Sequence, residues 1–340
     1  YSEVATRALI PALAYYFSIF CVVHLLAKKR DLKKTESAAI HTPPILPRLY
    51  RLIPMFVVVV MIFMGTSLPR AALLGTALSL IIGLFSKETR LSIKELISVL
   101  MDGTRQAVSI AIPTAACGIM IGVVVRSGVA VKIAKLIALW GNSSVFVALL
   151  IAAAGCLMLG MALPTVAAYL ISNVLFVPSI RELLISTMGF DPMLAAFVAN
   201  MFIFYFGVIA QITPPVCLAS FTAAGIAGGS SWKTGWKAFA YATIAFMVPF
   251  IFVYDPAILQ YGSAWQIAYA TFVVGAGSYL LATAYTGYQF GALSMVERIV
   301  ILAAALMLII PEPITDYIGL AIGGSMFLIN YLRFAAKKKN

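Results

Sequence analysis

Polar and apolar positions in this chain alternate on a scale much longer than a helical turn: long uncharged runs are separated by short charged or proline-containing stretches. A helix needs about 20 apolar residues to cross the hydrocarbon core of a bilayer. The pattern therefore predicts membrane helices over Val4 to Ala27, Arg51 to Ser67, Ala71 to Phe85, Ala107 to Val125, Ala238 to Tyr254, Ala264 to Tyr285, Ile299 to Ile310 and Ile314 to Tyr331. The second and third should meet in a tight turn at Leu68-Pro69-Arg70. Two amphipathic stretches, Leu91 to Met101 with Lys94 and Glu95, and Val129 to Trp140 with Lys132 and Lys135, predict helices lying in the interface.

Two runs do not fit a simple span. Val145 to Ile180 is uncharged for 36 residues, too long for one span and too short for two spans plus a turn, and Gly160-Met161-Ala162-Leu163-Pro164-Thr165 interrupts its middle. A re-entrant hairpin fits that length. Met193 to Trp232 is uncharged for 40 residues and contains Thr213-Pro214-Pro215. Proline removes a backbone donor and disfavours helix at the residue before it, so two in succession should split this run into half-helices. Loose backbone at membrane depth is tolerated where it is buried in protein or lines a wet cavity, which makes both interruptions candidate binding elements.

Composition narrows the class. A chain that is 62% hydrophobic and 11% charged is expected to be an all-α polytopic membrane protein. The net charge of +12 would suggest nucleic acid in a soluble protein, but the basic residues lie between apolar runs and no basic face with interleaved aromatics exists. They are read as orientation signals: Lys28-Lys29-Arg30-Asp31-Leu32-Lys33-Lys34, Lys87, Arg90, Lys233, Lys237 and the C-terminal Lys337-Lys338-Lys339 are expected on the cytoplasmic side. Both hairpin mouths would then face outside. The chain starts at Tyr1 without a signal peptide and is expected to be a piece of a longer protein. Cys21, Cys117, Cys156 and Cys217 lie singly in apolar segments and read as packing residues.

Uncharged chemistry dominates the candidate site. Half-helix N-termini offer amide donors to an anion, and unwound carbonyls with helix C-termini offer oxygens to Na⁺. Gly160, Met161, Pro164 and Thr165 at the hairpin tip, with Gln211, Thr213, Pro214 and Pro215 at the helix break, are the candidate substrate- and ion-binding residues. Na⁺ would sit at Gly160, Thr165 and Thr213. Asn173 and Asn200 read first as interhelical hydrogen bonds. Asp191 and Asp255 precede prolines and read as turn initiators, Glu297-Arg298 as an interfacial helix flank, and Asp316 as too close to Pro311-Glu312-Pro313 to be deeply buried. His24 and His41 form no metal constellation, and there is no Walker loop, which leaves an ion gradient as the energy source.

Taken together, Gly160 to Tyr169, Gly189-Phe190-Asp191-Pro192-Met193, Gln211-Ile212-Thr213-Pro214-Pro215-Val216 and Phe250 to Ala257 resemble the fused permease of tripartite ATP-independent periplasmic (TRAP) transporters, TAXI type, over about residues 1 to 257. The resemblance implies an elevator-type symporter in a bacterial or archaeal plasma membrane, with its C-terminus cytoplasmic. It would import a small organic acid (a C4-dicarboxylate, 2-oxoglutarate or a glutamate-like acid) with Na⁺ or H⁺ as coupling ion and no other cofactor. It would not be an enzyme. A periplasmic TAXI-type binding protein is the implied partner. The family's inverted repeat implies that this chain is the second half, with the N-terminal half and a fused small membrane subunit missing before Tyr1. Ala210 stands where the pattern has a glycine.

This divides the chain into scaffold spans, linker and interfacial helix over 1–106, a transport-domain half over 107–257 with hairpin 143–180 and broken helix 193–230, and a C-terminal extension of three helices over 258–340. Two other functions compete. A divalent-anion symporter of related architecture would need no binding protein. An intramembrane lipid-modifying enzyme would need buried acids or histidines, and the two long uncharged runs contain none.

Overall fold

A computed structural model of the chain describes residues 2–31, 46–85, 92–141, 144–215, 217–310 and 312–339. Among these the secondary structure is helical, with one isolated antiparallel bridge between Tyr288 and Ala292. Among the described residues, six helices are long and apolar enough to cross a membrane. The chain forms two compact units, residues 1–9 with 32–109 and residues 10–31 with 110–340.

In the first unit, α1 (Ser2–Arg7) packs against α3 (Ile53–Phe63), which follows a 3-10 turn at Leu46–Leu52; α2 (Leu9–Lys29) belongs, but for its first residue, to the second unit. The helix α4 (Leu68–Phe85) packs on α3, and a Cβ at Gly75 would lie 2.4 Å from Val58 Cγ2. The expected turn at Leu68-Pro69-Arg70 is displaced. The chain turns at Gly65, whose φ of +79° suits glycine, and the Thr66 hydroxyl donates to Met61 O at 2.7 Å. Pro69 sits inside the first turn of α4, where its missing N–H would have had no helical partner.

A second expectation is corrected next. Leu91 to Met101 is no separate interfacial helix. Ile93–Arg126 forms one helix, α5, 34 residues and about 51 Å long, well beyond a hydrocarbon core of about 30 Å. Asp102 and Arg105, which lie between the two expected segments, sit three residues apart on it and pair at 3.6 Å. Charge marks where a helix leaves the membrane, whereas only the backbone can end it. Lys33, Lys34, His41, Lys87 and Arg90 lie outside the described residues.

The second unit continues with α6 (Val129–Gly141), α7 (Val145–Ala162), α8 (Thr165–Met188), α9 (Pro192–Ile209), a 3-10 turn at Ala210–Ile212, α10 (Leu218–Ala227), α11 (Ser231–Tyr241), α12 (Thr243–Tyr254), a 3-10 turn at Pro256–Leu259, α13 (Ala264–Thr286), α14 (Met295–Ile309) and α15 (Pro313–Lys339). Its centre is the layer of α7, α8, α9 and α12. Ala168, Ile171, Ser172 and Leu175 recur on the buried stripe of α8 at three- and four-residue steps, and Val198, Phe202, Ile203 and Phe206 do the same on α9. Phe202, Phe206 and Phe250 form a ring cluster with centroids 4.9 to 5.8 Å apart. The helix α8 runs through Arg181 and Glu182, past the expected end at Ile180, to an αL cap at Gly189. It is long enough to cross a membrane by itself.

The last three helices pack α13 on α14 and α14 on α15. Their contacts rest on small residues, as is usual where lipid gives no hydrophobic drive to helix association. A Cβ at Gly323 would meet Leu280 Cδ1 at 2.4 Å, and one at Gly319 would meet Ala304 O and Leu308 at 2.9 Å. Glu297 closes a capping box with Ser294 and pairs with Arg333 at 2.6 Å, so it ties α14 to α15. The buried Asn330 amide donates to Gln289 Oε1 at 2.8 Å.

The packing of α7 on α8 is tight at one point: a Cβ on Gly155 would fall 2.3 Å from Phe176 Cζ. Gly155→Ala should therefore lower stability by about 1–3 kcal/mol, and Phe176→Leu in the same chain should recover part of the loss. Thermal unfolding of the purified protein in detergent checks this; equal losses with and without Phe176→Leu would contradict the contact.

Candidate functional site

Helix α7 ends at Ala162 and α8 starts at Thr165, so the tip between them is only Leu163 and the exposed Pro164. Both residues are extended, with ψ of 153° and 148°, which suits proline and the residue before it. In the neighbouring element α9 ends at Ile209, the 3-10 turn reaches Ile212, and α10 starts only at Leu218. The break falls where Pro214 and Pro215 stand.

The two interruptions meet. Gly160 is buried on α7, and a Cβ there would lie 2.4 Å from the Ala210 methyl and 3.6 Å from Gly207 O. Across the tip, Tyr169 of α8 covers Gly207, with its backbone N at 3.9 Å from that glycine's Cβ position. Both arms of the hairpin thus rest on the end of α9. Ala210, 1% exposed, fills the place left by the missing side chain of Gly160. The methyl that departs from the expected glycine pattern is part of this contact.

Among the candidate residues, Gly160 and half-buried Met161 lie on the α7 side, with half-buried Gln211 in the turn that packs against that helix. Thr213 is 8% exposed; its hydroxyl donates to Ile209 O at 3.0 Å, and its carbonyl accepts from Cys217 N at 3.2 Å. It stitches the end of α9 to the start of α10 and keeps its hydroxyl lone pairs for another partner. Thr165 is half-buried in the first turn of α8, Pro214 is half-buried and Pro215 exposed. No side chain caps the first amides of α8 or of α10, and the turn Ala210–Ile212 packs against both α7 and α10, so an N-terminus of the kind that usually seeks a cap lies in each of the two interrupted elements.

The joint is strained at Cys217, whose φ of +24° is a conformation L-residues rarely adopt. Its buried sulfur packs where a Cβ on Gly235 of α11 would come within 2.6 Å. Cys21 and Cys156 are buried as well, as packing cysteines should be.

Asn173 and Asn200 join α8 to α9. The Asn173 amide donates to Asn200 Oδ1 and to Tyr169 OH, the Tyr169 hydroxyl donates to Asn200 Oδ1 at 3.1 Å, and the Asn200 amide donates to Ala196 O at 2.7 Å. Interhelical bonding, the first expectation for both asparagines, is what they do, and Tyr169 is the member that spacing did not single out. Asp191 caps α9 through Met193 N and Leu194 N at 2.8 and 3.3 Å. Asp255 caps the following turn through Ala257 N at 3.1 Å, and burial pushes its carboxyl up from the ordinary range. Asp316 requires a correction: it is 6% exposed and accepts from Tyr269 OH at 3.2 Å, because α13 covers the first turn of α15. No group of three or more His, Cys, Asp or Glu among the described residues could hold a metal.

A multi-pass helical membrane protein in which a helical hairpin seats on a broken helix has the architecture of a transporter subunit. Comparison with known families agrees: residues 1–267 match the family described as tripartite ATP-independent periplasmic transporter, DctM component, and the chain belongs to it. It is therefore a large membrane component of a TRAP-type secondary transporter, a permease of the inner membrane whose family works with a periplasmic binding protein and a small membrane subunit. No curated protein and no solved structure matches the chain.

The Gly160–Ala210 contact generates a direct prediction. Gly160→Ala should destabilise the second unit by about 1–3 kcal/mol through overpacking, and Ala210→Gly should restore most of the loss. Thermal melting of the single and double variants measures it. A double variant no better than Gly160→Ala alone would mean that the tip does not seat on Ala210.

Proposed function

We propose that the chain is a TAXI-type TRAP permease that imports a small organic acid with Na⁺, the acid being delivered by a periplasmic binding protein. The observation that carries this is the meeting of two helix interruptions at Gly160 and Ala210, each with an uncapped helix start beside a helix end. Open amides at the starts of α8 and α10 suit the carboxylate of a C4-dicarboxylate, 2-oxoglutarate or glutamate-like acid. Carbonyls at the ends of α7 and α9, with the hydroxyls of Thr165 and Thr213, suit Na⁺. The paired element α7–α8 acts as a re-entrant hairpin in this reading, with Pro164 at its tip and Gln211, Pro214 and Pro215 shaping the facing joint. The uncharged runs 145–180 and 193–232 favour Na⁺ over H⁺, because neither holds an acid to carry a proton.

The test is uptake into proteoliposomes holding the permease and its small membrane subunit, with the periplasmic binding protein added outside. Labelled succinate, 2-oxoglutarate and glutamate are the probes. Uptake of at least one should need both the binding protein and an inward Na⁺ gradient. Thr165→Val with Thr213→Val should cut it about 5- to 100-fold, the range for losing a buried polar partner. Undiminished uptake by that variant would remove the assigned site, and uptake driven by a pH gradient alone would replace Na⁺ with H⁺.

A further inference from the structure

The second unit contains a crevice of about 360 Å³ away from the hairpin, between α2, α11, α12, α13 and α14. Val22, Ile244, Leu281, Ile299 and Leu302 make its lining apolar, and Arg298 is the one charged residue among the lining residues. Met295, Ile299 and Tyr285, 69%, 61% and 42% exposed, give the crevice an open apolar lip of the kind that faces acyl chains.

Its one charged side chain lies at the end of α13, while Ser18 and Thr243 are further polar residues of the lining. Arg298 Nε donates to Ala284 O at 2.9 Å and Nη2 to Tyr285 O at 3.1 Å, which fixes the guanidinium on the last turn of α13 and leaves three of its five N–H groups for another acceptor. Beside it, Lys29 of α2 donates to Thr286 O at 2.5 Å. Tyr241 and Tyr285, with ring centroids 5.7 Å apart, line the same end. Cations and tyrosines at one level of a helical bundle mark the headgroup region of a bilayer. The crevice is thus mostly apolar, with the hydroxyls of Ser18 and Thr243 among its neutral polar groups, and cationic at the interface, the same division as in an anionic phospholipid.

Volume decides between occupants. About 360 Å³ lies at the small end of ligand-sized pockets, which suits a single flexible acyl chain. A partner helix, about 10 Å across, would need more space over even two turns. We propose that this crevice is a specific site for an anionic phospholipid, with one acyl chain between α2 and α12–α14 and its phosphate on Arg298 and Lys29.

Native mass spectrometry of the purified full chain tests this, with phosphatidylglycerol and phosphatidylcholine of matched acyl chains as probes. Wild type should retain phosphatidylglycerol over phosphatidylcholine. Arg298→Gln, which keeps an amide donor for the α13 carbonyls, should reduce that preference roughly fivefold, the attraction of one cation for an anionic headgroup, and Arg298→Lys should restore much of it. Ala240→Phe, which fills the lining without touching the cations, should reduce retention of both lipids; its melting temperature separates this from misfolding. Equal retention of the two lipids by wild type, or an unchanged preference in folded Arg298→Gln, would overturn the site. Phosphatidylglycerol retained by folded Ala240→Phe at the wild-type level would show the lipid to be elsewhere and would also overturn it.

Discussion

An amide or carbonyl without a partner costs several kcal/mol in hydrocarbon, so a chain crossing a bilayer is held to helix wherever no protein covers it. That constraint explains why the interruptions of this chain fall where they do. At the joint after α9 the Thr213 side chain and main chain take up groups the helix would otherwise leave open, and the buried sulfur of Cys217 meets α11 at Gly235. At the hairpin tip the exposed backbone is shortened to two residues, one of them a proline with no N–H to satisfy. The starts of α8 and α10 carry no side-chain cap.

Packing follows from the same environment. Lipid is as apolar as leucine, so helices associate through close approach and a few polar contacts. Close approach is visible at Gly155 on Phe176, Gly160 on Ala210 and Gly323 on Leu280, each a place where a single methyl would collide. The polar contacts between uncharged side chains include the Tyr169–Asn173–Asn200 cluster and the Gln289–Asn330 pair. Measured bonds of this kind average about 0.6 kcal/mol, less than the cost of overpacking by one methyl group at about 1–3 kcal/mol. Shape therefore outweighs hydrogen bonding in fixing how the hairpin sits on α9, and the asparagines add register.

Much of this was legible along the chain because the strongest signals are local. Two prolines in succession stop a helix in any surroundings, so the break after Ile212 could be placed to within a few residues. An uncharged run with Gly160 and Pro164 near its centre likewise announced the tip. Two of the corrections concern charged residues inside helices. Lys94 and Glu95 make Leu91 to Met101 look like a separate interfacial helix, and Arg181 closes the uncharged run at Ile180, yet Lys94, Glu95, Arg181 and Glu182 all sit within continuous helices. The nearness of Asp316 to Pro313 along the chain suggests a shallow position, whereas its burial comes from α13, forty-seven residues away from it at Tyr269. Contacts between distant segments, including Ala210 on Gly160, have no signature in spacing.

The family match ends at residue 267, near the start of α13, but the packing has no seam there. Cys21, Val22 and Leu25 of α2 share one buried cluster with Ala282 of α13, with Tyr241 of α11 packed against it. The last carbonyls of α13 would be open at a helix end. Lys29 from within the matched region takes Thr286 O, and Arg298 from beyond it takes Ala284 O and Tyr285 O. Long cationic side chains suit this place, since their stems lie along apolar surface while their heads satisfy a helix C-terminus and its negative dipole end. The three last helices are therefore built into the core of the second unit. A change in the tilt of α13 would be felt directly by α2, and through Tyr241 by α11, the helix that covers the joint at Cys217.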